Sequence, residues 1–84
     1  MKEHAIAKAA VFEVVDKQLL ANDPPETRQT CDRLIAEGYS EEEVKVQIAC
    51  VVTAELFAIV KNQEPFNLER YIRNLSLLPQ LPLD

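Results

Sequence analysis

The stretch "IACVVTAELFAIV", residues 48–60, constrains the fold more than any other part of the chain. It is apolar at every position except Thr53 and Glu55. A membrane-spanning helix needs about 20 such residues, and strands usually stop near 5–6. Thirteen residues apolar nearly all round therefore predict a helix sunk in the middle of a domain. One glycine in 84 residues argues in the same direction, because a turn-rich all-β fold needs more.

The flanks of this run supply its start and stop. Ser40 and Glu43 fit the S-x-x-E capping box, and Tyr39 is placed to staple onto Val44. Glu41, Glu42 and Glu43 put negative charge at the positive end of the helix dipole. Asn62 and Pro65 close the helix near residue 61. Upstream, "EHAIAKAAVFEVVDKQLLA" predicts a first helix over 3–21, with Val11, Phe12, Val15 and Leu19 on one face. "NDPPE" separates it from a second helix over 24–37. There Asp23 is read as the cap, Pro24 as the first residue and Glu26 as the end of a capping box. Thr27, Cys31, Leu34 and Ile35 form its inward stripe, Arg28, Asp32 and Arg33 face out, and Gly38 ends it as a left-handed cap. A fourth helix over 68–77 is capped by Asn67 and buries Tyr71, Ile72, Leu75 and Leu78. The expected fold is an all-α, small four-helix domain with a central apolar third helix. It is one domain over 1–84, with 79–84 an extended C-terminal tail.

From about Cys31 to Leu78 the chain resembles a family of short bacterial all-helical proteins. The features that carry the likeness are "EGYSEEEV", the long apolar helix containing Glu55, and "EPFNLERYIRNL". The resemblance implies the helical fold. No activity is attached to that family, so no functional residue is carried across.

Several function classes are disfavoured by the residues themselves. The net charge is −5, neutral over 1–22 and then −2, −2 and −1 over 23–38, 39–63 and 64–84. Without a basic patch a nucleic-acid partner is not expected. The junction "LIAEGYSEEEV" has the rhythm of a helix-turn-helix, but its reading helix would present three glutamates to phosphate. "EGYSEEEV" also looks like the glycine-aromatic turn of ubiquitin-binding three-helix modules, yet the helix after it is too long for one. Lys8, Glu13 and Asp16 break the N-terminal apolar runs, so neither a signal peptide nor a membrane anchor is expected. Cys31 and Cys50 sit in apolar helical surroundings, which suits free thiols in a reducing, cytoplasmic setting.

Chemistry is sparse. No cofactor signature and no phosphate loop occurs, and an enzyme is not expected. His4, Cys31, Cys50 and Glu55 lack the close spacing of a metal site, so no metal is expected. Glu55 is the one candidate functional acid, set among Val52, Thr53, Leu56, Phe57 and Ile59. Its bland reading is a position on the rim of the core or an ion pair with Arg70, Arg73 or Lys8; its functional reading is a ligand-binding or catalytic domain built around it. The excess of apolar surface is the stronger lead. Ile6, Ala10 and Val14 lie off the packed stripe of the first helix, and Leu78, Leu81 and Leu83 follow the fourth. Together they are the expected interaction surface of a module that forms a homodimer or docks on another protein.

Overall fold

The computed structural model describes the backbone of residues 2–82 and the side chains of residues 8–82. Four helices account for its regular structure: α1 (Lys2–Ala21), α2 (Pro25–Ala36), α3 (Glu41–Asn62) and α4 (Leu68–Leu77). No strand occurs among the described residues. The all-α, four-helix expectation is met.

α1 ends at Asn22, which takes a left-handed conformation with φ 54°. Its N–H donates to the Leu19 carbonyl, and the Asp23 N–H donates to that of Gln18. α2 then starts one residue later than the sequence suggested. Pro24 is the cap, with φ −72° and ψ 150°, and no side chain caps the helix. The cause is the second proline. A residue that precedes proline is pushed out of the helical region, so Pro24 cannot be the first helical residue and Pro25 takes that place. Asp23 and Glu26 therefore form no capping box.

The end of α2 follows the glycine rule closely. Gly38 has φ 108°, its N–H donates to the Ile35 carbonyl, and the Tyr39 N–H donates to that of Leu34. These are the two bonds of a Schellman turn. A Cβ at Gly38 would meet nothing within 4 Å, so only backbone strain opposes substitution. Gly38→Ala is expected to cost about 1 kcal/mol, read as a lower urea midpoint at unchanged slope. An unchanged midpoint would mean that the turn relaxes.

α3 begins with the expected capping box. The Ser40 N–H donates to Glu43 Oε1 at 2.8 Å, and the Glu43 N–H donates to Ser40 Oγ at 3.1 Å. Gln63, with φ 53°, ends the helix in place of Asn62, and the Glu64 N–H closes onto the Ile59 carbonyl at 3.2 Å. Asn67 caps α4 by accepting from the Arg70 N–H at 3.0 Å.

α3 is the strut of the molecule: α1, α2 and α4 all pack on it. The core comprises Val11 and Val15 of α1, Cys31 and Leu34 of α2, Val44, Ile48, Ala49, Val51 and Val52 of α3, and Tyr71, Leu75 and Leu78 from the α4 region. α2 buries Thr27, Thr30, Cys31 and Leu34, while Ile35 is 43% exposed. The strict i, i+3, i+4, i+7 stripe explains this, since Ile35 lies a further 100° round the helix from Leu34. Arg33 does not simply face out. Its guanidinium donates to the carbonyls of Leu78 at 2.9 Å and Leu75 at 3.1 Å, the second of which also accepts from the Leu78 N–H, and so it ties α2 to the end of α4. Leu78, expected both as an inward residue of the fourth helix and as part of the contact surface, is 2% exposed and belongs to the core, so only the inward reading holds. Beyond it the tail turns rather than extends at first, with the Gln80 N–H donating to the Leu77 carbonyl.

Residues 48–60 are not buried all round. Ile48, Val51, Val52 and Glu55 are buried, whereas Leu56, Phe57 and Val60 are 47%, 66% and 77% exposed. Three neighbouring helices cover three sides of α3 and leave the fourth bare.

Candidate functional site

Among the described residues, the carboxylate of Glu55 and the bare side of α3 carry features beyond packing. Glu55 is 3% exposed, yet both of its oxygens have partners. Arg70 Nε donates to Oε1 at 2.9 Å and Arg70 Nη2 to Oε2 at 2.8 Å, a two-pronged pairing. The backbone N–H of Asn67 also donates to Oε2 at 2.9 Å. Arg70 Nη1 reaches Glu64 Oε1 at 2.6 Å. One arginine thus fastens the α3–α4 connection to the side of α3. The Arg70 hydrogen bonds hold the Glu55 carboxyl below its ordinary value against the opposing effect of burial, and the same pairing raises Arg70. A depression of about 360 Å³ adjoins this pair, lined by Ala54, Asn74, Leu77, Gln80 and Leu81 among others. Glu55 faces it with its acceptors already engaged, so the geometry gives this residue the work of a clasp.

A second polar cluster joins half-buried Gln18 to the buried Thr27 and Tyr71. Gln18 Oε1 accepts from Tyr71 Oη at 2.7 Å and from Thr27 Oγ1 at 2.8 Å, joining α1, α2 and α4. Burial pushes the Tyr71 phenol up, so it stays protonated and keeps donating. No residue pattern in the sequence announced this three-way junction, because its members are up to 53 positions apart.

The bare side of α3 forms one wall of an apolar groove of about 610 Å³. Lys8, Val11 and Phe12 of α1 form the other wall, facing Val46, Ala49, Cys50, Thr53, Leu56, Phe57 and Val60. Asp16 binds Lys45 at 2.8 Å while Lys8 lies in the groove with Phe57, so α1 runs antiparallel to α3. Thr53 adds little polarity, because its hydroxyl donates to the Ala49 carbonyl of its own helix at 2.9 Å. Past Val46 the groove continues into a second depression of about 520 Å³, bordered by Phe12, Tyr39, Glu42 and Glu43.

The expected interaction surface is only partly what stands here. Ala10 and Val14 are exposed on α1, but neither lines the groove. Leu81 is 42% exposed and borders the depression beside Arg70. Leu78 is buried, and the side chain of Ile6 and all of Leu83 lie outside the described residues. The sequence reading passes over Val46 and places Phe57 and Val60 in a rod covered on all sides, whereas all three are exposed. A signal for them exists: Val46, Cys50, Thr53, Phe57 and Val60 repeat at intervals of 4, 3, 4 and 3, the spacing of a coiled-coil seam.

Cys31 is buried and Cys50 half-buried, both as free thiols, and burial pushes the Cys31 thiol up. No group of three metal-ligating side chains forms among the described residues; the side chain of His4 lies outside them. No described helix is long and apolar enough to cross a membrane. No family model, curated protein or solved structure matches the chain.

Proposed function

We propose that the protein is a small helical interaction module whose docking surface is the groove between α1 and α3. The observation that carries this reading is the exposure of Phe57 and Val60, 66% and 77%, in line with Val46 on one side of α3. Large apolar side chains gathered on one face of a soluble monomer are unusual, and covering them with protein removes apolar surface from water. The lining is apolar apart from Lys8, and its hydroxyl group bonds to its own helix, which suits an apolar helical partner better than a polar small molecule. Two unpaired thiols fit a reducing, cytoplasmic setting. The resemblance over about 31–78 to short bacterial helical proteins agrees with such a module and adds no activity to it.

A comparative pull-down from the native host tests the reading. The wild-type protein is expected to retain a partner, either another protein or an untagged copy of this chain, that Phe57→Glu loses. Phe57 is mostly exposed, so this substitution leaves the fold intact, and unchanged circular dichroism checks that. Equal retention by both proteins would sink the docking role of the groove.

A further inference from the structure

We infer that the occupant of the α1–α3 groove is a second copy of this chain, its α3 lying antiparallel against the first α3 along the seam Val46, Cys50, Thr53, Phe57 and Val60. This rests on the docking reading of the same face and names its partner.

Two observations carry it. The first is the seam. Fifteen residues from Val46 to Val60 put an apolar or small side chain outward at each 4–3 step, over a length of about 21 Å. A seam with that repeat matches another helix with the same repeat, since each side chain enters a gap between four on the facing helix. Cys50, Thr53 and the neighbouring Ala49 keep the middle of the seam small, while the larger Phe57 and Val60 lie towards one end and Val46 towards the other. Turning one copy end for end sets the bulky end of each seam towards the slender end of its partner.

The second observation is charge. Glu41 and Glu42 stand exposed at the N-terminal end of α3, and Lys61 stands exposed at the C-terminal end. Lys45, the nearest cation to those glutamates along the helix, is held by Asp16 at 2.8 Å. A parallel pair would bring acidic end to acidic end. An antiparallel pair brings Glu41 and Glu42 of each copy alongside Lys61 of the other and also opposes the two helix dipoles. The result is a closed two-fold arrangement in which the same patch serves both chains.

Light scattering on the purified full chain tests the pairing. Wild type is expected near twice 9.5 kDa, and Phe57→Glu is expected to raise the dimer dissociation constant about thirtyfold or more. A wild-type mass of one chain at high concentration overturns the inference. If Phe57→Glu then still abolishes retention of a host protein, only the identity of the partner was wrong; if it changes nothing, the docking reading falls too. Orientation is tested with Glu42→Cys and Lys61→Cys, each combined with Cys50→Ser, mixed in equal amounts and treated with a short bis-maleimide. Cys31 is 4% exposed and stays silent. Cross-links joining one variant to the other are expected; cross-links confined to identical variants would overturn the antiparallel arrangement.

Discussion

Ile48→Ala is expected to lower the unfolding free energy by about 4 kcal/mol, the upper part of the usual range for an isoleucine with no exposed surface. The loss has two parts. The burial of three side-chain carbons no longer favours the folded state, and a cavity opens in the side of the strut on which its neighbouring helices pack. A domain of this length holds about 4–12 kcal/mol in total, so the variant sits at the edge of folding. Its thermal midpoint should fall by about 20 °C. Leu20→Ala is the matching control. Leu20 is 89% exposed on α1, outside the groove, and its truncation should change stability by no more than about 0.5 kcal/mol. Similar midpoints for the two variants would show that α3 is not the centre of the core.

Arg70→Ala is expected to lower the thermal midpoint by about 15 °C at neutral pH, for a different reason. It strands a carboxylate that is 3% exposed and leaves it one N–H donor, that of Asn67. The same change frees Glu64 and releases the α3–α4 connection from the side of α3. The effect should depend on pH with a definite sign. In the wild type the Glu55 carboxyl is held below its ordinary value near 4.5, chiefly by the Arg70 hydrogen bonds. Its contribution to stability is therefore present above that value and is lost as pH falls through the folded-state value. In Arg70→Ala burial dominates and raises Glu55 instead, so protonation relieves the variant. The gap between the two proteins should narrow as pH drops below about 5. Glu55→Gln/Arg70→Ala should recover part of the loss, since no buried charge remains. A gap independent of pH would mean that water reaches Glu55 once Arg70 is gone.

The two cases differ in how far they were legible in advance. Ile48 as a core residue follows from the apolar run around it. The Glu55–Arg70 clasp was one of three candidate pairings, and nothing along the chain chose Arg70 over Arg73 or Lys8. The choice depends on the angle at which α4 leaves Asn67, since the capped first turn aims Arg70 back at α3. Arg33 shows the same limit more plainly. Its position on α2 reads as outward, yet the end of α4 lies within reach of its guanidinium. Leu78 reads two ways from the sequence, as the last inward residue after α4 and as part of a contact surface, and the fold decides for the core.

Local rules therefore settled the helices and their ends. Ser40 with Glu43, Gly38, and Asn67 act over three or four residues, through hydrogen bonds that no distant part of the chain can alter, and Pro25 displaced one helix start by the same short-range sterics. Which side of α3 stays uncovered was decided only when the other helices were placed. Periodicity tells how apolar a helix is around its circumference, whereas coverage depends on how many neighbours there are to surround it. Three helices close three sides of this one, and the side they leave open, from Val46 to Val60, is where the interaction proposed for this protein resides.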